Sequence, residues 1–386
     1  MNTVRFGIIG LGNMGTGHIK NFLSGKIRGG EITAVCDIDQ ARLRAASELL
    51  GDRAAAFDRA EDLIASGTVD AILIATPHYF HPVYAIQGFA AGLHVLSEKP
   101  AGVYTKQVRE MNEAAAKTDR VFGLMFNQRT NPLYQKVKEL IASGELGELT
   151  RVNWIITDWF RTQSYYNSGS WRATWAGEGG GVLLNQDPHQ LDLLQWLCGM
   201  PDKVTAFCSY GKFHDIEVED DVTAYLEYPN GATGVFVTST GDAPGTNRLE
   251  ISGDRGRVII ENDRLTYTRL RGSVAEFLQT APGGFDRPEA WDVHIPIHGS
   301  ASQHIGICNN FIDAILHGTP LLAPGTEGIN GLTISNAIHL SSWTGKTVEL
   351  PLDEALFYEL LQERIKTSTY RKSESSGTVA DLTGTY

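Results

Sequence analysis

Three glycines near the start of the chain have the spacing of a phosphate-binding turn. They are Gly10, Gly12 and Gly15, with Asn13 and Met14 between the last two. In a dinucleotide-binding turn the first glycine permits a tight turn, the second admits the pyrophosphate, and the third lets helix and strand pack closely. An ordinary strand-to-helix turn is the alternative, because glycines also interrupt plain loops. The position between a predicted strand and a predicted helix favours nucleotide binding.

A carboxylate follows this turn at about the expected distance of roughly twenty residues. It is Asp37, at the end of the apolar run 32–36. A carboxylate here accepts hydrogen bonds from the adenosine ribose hydroxyls and repels a 2′-phosphate. The next residue, Ile38, cannot hold such a phosphate, although Arg42 and Arg44 lie nearby. We therefore predict NAD as the cofactor, with NADP less favoured.

Two polar stretches follow predicted strands, at the edge where open α/β sheets bind ligands. In the first, Lys99 stands beside Glu98. Adjacent charges are often only a solvated pair, but an ammonium group at a nucleotide cleft could also lie over the nicotinamide and a substrate hydroxyl. The second stretch, 75–82, holds His78 and His81. We interpret both as polar loop residues, since no acidic or thiol partner stands close by for a metal site.

A histidine in the second half of the chain is the candidate acid–base group. His189 follows a triple-glycine turn and opens an amphipathic helix, a placement that favours catalysis over the commoner structural role. Oxidation of a secondary alcohol needs a proton acceptor near the hydroxyl as hydride leaves its carbon. Neutral His189 could accept that proton while Lys99 orients the oxygen and stabilises its negative charge.

An aromatic segment, residues 159–175, precedes this histidine and also contains glycines, serines and two arginines. Packing within a core or interface and stacking on the C–H face of a sugar explain it equally well. On the second interpretation, the arginines donate to sugar hydroxyls. The candidate contacts are Arg161, Tyr165, Trp171 and Arg172.

Apolar runs alternate with helical patterns through the first third of the chain, which predicts a parallel sheet covered on both faces. The predicted strands are 4–9, 32–36, 54–57, 69–75, 94–96 and 121–126. A helix over 58–64 would open with a capping box of Asp58 and Glu61. From residue 150 the predicted strands follow one another at 150–158, 203–209, 222–228, 233–239, 248–252 and 258–261. We expect 214–221 to be a solvated acidic face, 276–297 a long loop, and 371–386 a mobile tail.

Composition limits the class of protein. A chain of 386 residues that is 42% apolar and 20% charged suits a globular protein of two domains. A net charge of -12 argues against nucleic acid or an anionic membrane as partner. The four cysteines are scattered, and neither a signal peptide nor a membrane span is evident. We expect a cytoplasmic location.

With these motifs in place, the sequence resembles the glucose–fructose oxidoreductase, inositol dehydrogenase and MocA family of sugar oxidoreductases over almost its whole length. The resemblance is carried by 10–15, by Ala75-Thr76-Pro77, by Glu98-Lys99-Pro100 and by 179–184 with His189. The later motifs Leu191-Asp192-Leu193, Trp196-Leu197, Gly318, Gly325, Glu327 and 341–346 match as well. Together these motifs are specific, although no single one is.

The resemblance implies an α/β protein with two domains. Residues 1–125 would form an NAD-binding Rossmann domain with a doubly wound parallel sheet. Residues 126–370 would form an α/β domain with a large open, mostly antiparallel sheet, which binds substrate, makes a homodimer or homotetramer, and returns its last helices to the first domain. Lys99 takes the position of the family's active-site lysine and His189 that of its acid–base histidine. The resemblance also places cofactor contacts at Ala75, Thr76, Pro77, His81, Glu98, Lys99 and Asn127.

The implied activity is hydride transfer between NAD(P) and a ring carbon of a sugar, glycoside or cyclitol. Many inositol dehydrogenase relatives have aspartate where this chain has Asn185, and an amide cannot take a proton, so the inositol assignment is weakened. Asp187, two residues on, is a candidate to compensate, and both residues are candidate substrate contacts. Two alternatives stay open: a glycosidase that works through transient oxidation at C3, and a non-catalytic NAD-binding protein.

Overall fold

The computed structural model describes residues 3–371, and its first sheet contains six parallel strands in the order β3-β2-β1-β4-β5-β6. The strands are β1 Val4–Ile9, β2 Gly30–Cys36, β3 Ala55–Phe57, β4 Ala71–Ile74, β5 His94–Ser97 and β6 Phe122–Leu124. Strand order reverses between β1 and β4, so their carboxyl ends open a crevice. The predicted doubly wound Rossmann sheet is confirmed.

Helices connect these strands and cover both faces of the sheet. They are α1 Asn13–Leu23, α2 Gln40–Leu50, α3 Ala60–Ala65, α4 His81–Ala90, α5 Thr105–Ala115 and α6 Pro132–Ala142, the last of which leads into the second sheet. Strands β4, β5 and β6 are buried along their whole length. Such continuous burial explains why their sequences are apolar runs instead of alternating patterns.

The second sheet has nine strands in the order β14-β13-β12-β11-β7-β10-β9-β8-β15, and only the β7–β10 pair is parallel. The strands are β7 Leu149–Ile156, β8 Lys203–Tyr210, β9 Glu219–Glu227, β10 Thr233–Ser239, β11 Asn247–Gly253, β12 Gly256–Glu261, β13 Arg264–Leu270, β14 Ala290–Val293 and β15 Val348–Glu349. The predicted open, mostly antiparallel sheet is therefore confirmed.

Seven further helices accompany this sheet. They are α7 Gln163–Asn167, α8 Val182–Asn185, α9 Pro188–Cys198, α10 Val274–Thr280, α11 Gln303–His317, α12 Gly328–Thr344 and α13 Glu354–Thr367. The last long helices also contact the N-terminal part of the chain: Phe311 of α11 lies 6.1 Å from Phe6 of β1, ring centre to ring centre. Asn336 of α12 accepts a hydrogen bond from the Thr105 amide and donates one to the Val103 carbonyl, each at 3.1 Å.

Three local predictions were wrong: the capping box of α3, the long loop 276–297 and the solvated acidic face 214–221. Helix α3 begins at Ala60 with Arg59 as its N-cap and no side-chain cap, so Asp58 and Glu61 form no capping box. The expected loop 276–297 contains most of α10 and all of β14, which pairs with β13 at the sheet edge. Propensity was too weak to indicate a four-residue edge strand whose pairing is its main stabilisation.

The acidic stretch 214–221 is not a solvated face. Glu219 and Asp220 are fully buried. Asp220 accepts hydrogen bonds from the backbone amides of Lys212, Phe213 and His214, while Glu219 accepts from those of Gly181 and Leu183. Backbone donors compensate the burial of both carboxylates.

The predicted mobile tail lies outside the described residues, except for Arg371. No helix within residues 3–371 combines the length and apolar character that a membrane crossing requires. Over the same residues, no three side chains of histidine, cysteine, aspartate or glutamate come together as a metal-ligand set.

Candidate active site

The turn between β1 and α1 has the shape that a dinucleotide requires. Gly10 has a φ of +93°, and a Cβ there would lie 2.6 Å from the Ala75 carbonyl oxygen. A Cβ on Gly15 would lie 1.9 Å from the Gly10 carbonyl oxygen, so neither position tolerates a side chain without distortion. Gly12 is the N-cap of α1 and provides no side-chain cap. The amides of the first turn, which include those of Asn13 and Met14, can therefore face a pyrophosphate.

Asp37 lies at the end of β2, beside this turn, and is almost fully buried. One carboxylate oxygen accepts the Leu11 amide at 2.7 Å and the other accepts the Asp39 amide at 2.8 Å. These bonds fix the carboxylate beside the glycine turn, and its remaining lone pairs can accept from ribose hydroxyls. The Arg42 guanidinium lies 3.9 Å away and half-exposed, so it borders the same position. The residues present thus fit NAD.

Strand-end loops after β4 and β5 form the next part of the crevice. His81, the first residue of α4, contacts the Pro100 carbonyl oxygen at 2.7 Å with Nδ1 and the Thr76 carbonyl oxygen at 2.8 Å with Nε2. Both ring nitrogens are thereby used on backbone, and the side chain is buried. His81 braces the two loops that carry Ala75, Thr76, Pro77 and Lys99. The predicted contact between His81 and the cofactor stays a prediction.

Asn127 follows β6 and is fully buried, and its amide donates to the Gln303 side chain at the start of α11. The sequence prediction of Asn127 as a cofactor contact is untested, but the geometry brings α11 to the crevice. This arrangement links the first domain to a helix nearly 180 residues further along the chain.

Glu98 lies beneath Lys99 and is held by histidines from two distant helices. His18 of α1 bonds its Oε1 at 2.7 Å, and His304 of α11 lies 4.0 Å from the same atom. Burial alone would raise the pKa of Glu98, but the His18 hydrogen bond and the charges of His18, His304 and Lys99 lower it to about 2. Glu98 is therefore an anion at neutral pH, fixed directly behind the lysine.

Lys99 extends from the end of β5 towards the second domain. Its Nζ donates to the backbone carbonyl oxygen of Asn185 at 2.6 Å. Burial lowers the pKa of Lys99 to about 8, with Arg172 and Arg161 adding to the effect and Glu98 opposing it. A lysine of this kind is largely charged at neutral pH yet weakly hydrated, which suits it to bind an oxygen that gains negative charge.

His189 lies at the start of α9 and is almost fully buried, and neither ring nitrogen has a hydrogen-bond partner. Burial lowers its pKa well below 6.5, and the charges of Lys99 and His304 act in the same direction. A neutral imidazole with two unused nitrogens beside an ammonium group is able to accept a proton at neutral pH. Few buried polar groups in proteins lack partners, so a ligand or a water molecule can bind at this pair of nitrogens.

Asp187, the N-cap residue of the same helix, is fully buried. The Thr238 hydroxyl and the Trp159 indole face its carboxyl group, but neither completes a hydrogen bond with either oxygen. Burial raises the pKa of Asp187 to about 8, against the smaller effects of Thr238 and Trp159. Asp187 is therefore mostly protonated at pH 7, and whether it compensates for Asn185 in proton transfer stays a prediction. Its role as a substrate contact stays a prediction.

We expect Asp187→Asn to change how stability depends on pH. In the native protein the carboxyl group keeps its proton up to about pH 8, whereas in the unfolded chain it ionises near pH 3.9. Between these values the native state binds more protons, so wild-type stability falls as pH rises. Between pH 6 and pH 8 the free energy of unfolding of the variant should rise by on the order of 2 kcal/mol relative to that of wild type. Urea denaturation at both pH values measures this, with the exposed-site variant Asp52→Asn as control. Equal pH dependence in all three proteins would contradict the assigned protonation.

Asn185 connects the lysine to a polar network from the aromatic segment. Its amide donates to Glu178, and its side-chain oxygen accepts from the Tyr165 hydroxyl at 3.3 Å. That hydroxyl accepts from Arg172 at 2.7 Å and from Gln186 at 3.0 Å. Burial raises the pKa of Glu178, although Arg172, Asn185 and the Ala173 amide oppose the shift. The aromatic segment is thus neither plain core nor plain surface: through Tyr165 and Asn185 it lines the same crevice as Lys99.

Two rings and two guanidinium groups complete this lining. The Arg172 guanidinium lies over Trp171 at 4.7 Å and over Tyr165 at 4.6 Å, and the Arg161 guanidinium lies 5.2 Å from the centre of the Tyr165 ring. Trp171 also packs edge-on against His78. The predicted candidates Arg161, Tyr165, Trp171, Arg172 and Asn185 therefore share one wall of the site.

Sequence reasoning missed His18, Glu178 and His304. His18 stands three residues after Gly15, one helical turn below the phosphate-binding turn, and this position was the only local signal. Glu178 and His304 gave none, because each meets the site through a contact between elements that are distant along the chain.

Comparison with known proteins gives two family profiles that match this chain. Residues 4–126 match an oxidoreductase family with an NAD-binding Rossmann fold, and residues 134–259 match the GFO/IDH/MocA C-terminal domain. Together the profiles cover both sheets, apart from the last strands of the second.

Individual relatives agree with these profiles. The chain is 30% identical over 355 residues to a myo-inositol 2-dehydrogenase of Thermotoga maritima, covering 90% of this chain and 98% of that one. It is 32% identical over 198 residues to an inositol 2-dehydrogenase of Corynebacterium glutamicum, a match that spans 51% of this chain and only 55% of the relative. A solved structure of the WlbA dehydrogenase of Bordetella pertussis, in complex with NADH and UDP-GlcNAcA, is similar with a TM-score of 0.77 and 29% identity, covering 91% of this chain and 100% of that one.

Proposed function

Because this chain belongs to the GFO/IDH/MocA family of NAD-binding oxidoreductases, we propose that it oxidises a secondary hydroxyl of a sugar, glycoside or cyclitol with NAD. The chain has the NAD-binding Rossmann domain of that family. The relatives named as inositol dehydrogenases, and the dehydrogenase structure solved with a nucleotide sugar, support a polyhydroxylated ring as substrate. They do not agree on one ring, so we propose the class and not a single compound.

One observation carries the proposal: a charged lysine and an unpaired neutral histidine at the same crevice. Lys99 and His189 come from different domains, yet the lysine charge is close enough to lower the pKa of the histidine. Dehydrogenation of an alcohol needs these two functions, a group that binds the oxygen and a group that takes its proton.

When bound, NAD supplies the hydride acceptor. The glycine turn and Asp37 would hold its pyrophosphate and adenosine ribose, and the loops after β4, β5 and β6 would line the nicotinamide end. Lys99 would donate from Nζ to the substrate oxygen and stabilise its charge, while His189 would accept the hydroxyl proton on a ring nitrogen. Glu98 holds the backbone amide of Lys99 at 3.2 Å, and Asn185 directs Nζ. These contacts fix the lysine before substrate arrives.

Absorbance of reduced nicotinamide tests the proposal. Purified protein is mixed with NAD or NADP and, in separate wells, with myo-inositol, scyllo-inositol, free hexoses, uronic acids, and alkyl or aryl glycosides. We expect signal with NAD and one group of substrates. Release of aglycone without net reduction would instead support the redox-assisted glycosidase. Silence with every substrate, while calorimetry shows NAD binding, would contradict the proposed function and favour the non-catalytic alternative.

We also propose the two domains predicted from sequence, with a boundary near residue 125. We propose a cytoplasmic location for the protein. The last strand of the first sheet ends at Leu124 and the first profile ends at residue 126, which supports the boundary.

We propose a homodimer formed through the free face of the second sheet. One row across this face runs from Ile155 through Val237 and Thr223 to Phe207. Phe207 is 74% exposed, and Ile155 and Tyr225 are also exposed. Apolar groups in adjacent strands form a patch of the kind that subunit interfaces cover.

Phe207→Glu should convert this dimer to monomer. Two copies of the new carboxylate would be buried at or near a two-fold interface without partners, a cost of several kcal/mol. Sedimentation velocity at micromolar concentration measures the effect, and Leu49→Glu on α2 is the control for an exposed apolar residue elsewhere. A variant that sediments as wild type would contradict the proposed interface.

A further inference from the structure

Three cationic side chains converge on the substrate side of the site. Besides Lys99, these are Arg161 and Arg172, whose guanidinium carbons lie 5.2 Å and 4.6 Å from the centre of the Tyr165 ring. The Tyr165 hydroxyl bonds the Asn185 side chain, and the Asn185 carbonyl oxygen accepts from Lys99. Both guanidinium groups therefore connect to Lys99 through two residues, Tyr165 and Asn185.

The two arginines differ in how their charge is balanced. Arg172 lies 3.9 Å from Glu178, and Lys99 has the anionic Glu98 as its chain neighbour. Arg161 has no carboxylate within 4.0 Å among residues 3–371; Asp158, on the same segment, lies beyond that distance. Its Nη1 donates to the Phe160 carbonyl oxygen at 3.0 Å, and its guanidinium group also interacts with the Tyr165 hydroxyl and, at longer range, with the Asp158 charge. Its Nε is buried without a hydrogen-bond partner.

A guanidinium group without a carboxylate at ion-pair distance is costly where it is partly buried, because the charge loses water without gaining a close counter-ion. The Trp159 and Tyr165 rings lie 5.3 Å and 5.2 Å from this guanidinium group, whose buried Nε is on the protein side while its Nη1 hydrogen bond is exposed. The chain as a whole carries a net charge of -12, so a positive charge without a partner here does not follow from an excess of basic residues. A bound anion would remove the imbalance.

We infer that the substrate ring carries one carboxylate, as in a uronic acid, and that Arg161 binds it. This inference rests on the proposed function, since it names the substrate class of the same site. A guanidinium group matches a carboxylate through two parallel hydrogen bonds, and the buried Nε provides one free donor. A single unbalanced cation suits a monoanion better than a phosphate, whose second charge would have no partner.

Matched pairs of substrates test the inference. Initial rates with NAD are compared for glucuronate against glucose, galacturonate against galactose, and methyl glucuronide against methyl glucoside. In the preferred pair we expect kcat/KM to be about 10- to 100-fold higher for the acid, the usual value of a hydrogen-bonded charge pair. Arg161→Gln should collapse this acid-to-neutral ratio, whereas Arg257→Gln on β12 should leave it at the wild-type value.

Binding provides a second readout that does not depend on turnover. Calorimetry with glucuronate, galacturonate and methyl glucuronide should show an affinity that weakens with salt and is lost in Arg161→Gln. If the neutral member of every oxidised pair is preferred, the carboxylate inference is overturned while the proposed function stands. If no compound is oxidised although NAD binds, the proposed function fails, and calorimetry alone tests whether Arg161 binds a carboxylate. Binding of the acids by wild type that is lost in Arg161→Gln supports the inference. Absence of binding by wild type overturns it.

Discussion

Lys99→Met should lower kcat for the best substrate by about 10³-fold, the usual upper effect of removing one donor that stabilises a developing oxyanion. The methylene chain of lysine is replaced by a side chain of similar length, so packing is retained and only the ammonium group is lost. In the native protein that group bonds one backbone carbonyl, on Asn185. Its removal therefore leaves little unsatisfied in the free enzyme, and the loss should be concentrated in the reaction itself.

Two controls separate this effect from a folding defect. Calorimetry should still show NAD binding to Lys99→Met, because the glycine turn and Asp37 are untouched. Lys106→Met, at an exposed position at the start of α5, should retain wild-type kcat. Wild-type turnover in Lys99→Met would contradict the claim that Lys99 stabilises the substrate oxygen.

His189→Ala should lower kcat by about 10²- to 10⁴-fold, the range for loss of a general base. Neither ring nitrogen has a partner in the free protein, so the truncation breaks no hydrogen bond. It leaves a cavity beside Phe126, whose ring centre lies 6.4 Å from that of His189. Because the cavity is the size of the lost ring, added imidazole should restore part of the rate in proportion to its concentration.

Imidazole rescue distinguishes a proton acceptor from a structural residue. His317→Ala, at the exposed end of α11, should keep full activity and show no response to imidazole. A His189→Ala protein that folds, binds NAD and retains full activity would contradict the assignment. Loss of activity without any rescue, together with a lower denaturation midpoint, would indicate a structural role instead.

Local signals predicted the cofactor half of the site. The steric requirement for Gly10, Gly12 and Gly15 is independent of the rest of the chain. Asp37 could be predicted as a ribose contact because it follows an apolar run. The positions of Lys99 and His189 were also predicted, but their assignment depended on family resemblance. Nothing in the spacing of a lysine and a histidine ninety residues apart indicates that they meet.

Contacts between distant elements could not be predicted. Glu98 was visible as one charge of an adjacent pair, yet its partners His18 and His304 come from α1 and α11. Glu219 and Asp220 resembled a solvated acidic stretch because the sequence shows side-chain charge and not the backbone amides that meet it. The donors to Glu219 come from the packing of residues 181–183 against β9, and those to Asp220 come from the backbone of residues 212–214. Burial set by tertiary structure overrode the local pattern in each case.

The central claim is that hydrogen leaves one ring carbon as hydride, while Lys99 stabilises the negative charge on the oxygen and His189 accepts the hydroxyl proton. The most direct test uses the best substrate of the panel with deuterium at the reacting carbon, followed by NMR of the nicotinamide and of the sugar product. We predict one deuterium in the reduced nicotinamide for each ketone formed. Deuterium lost to water, or retained in a sugar released without any reduced nicotinamide, would contradict net hydride transfer by this protein.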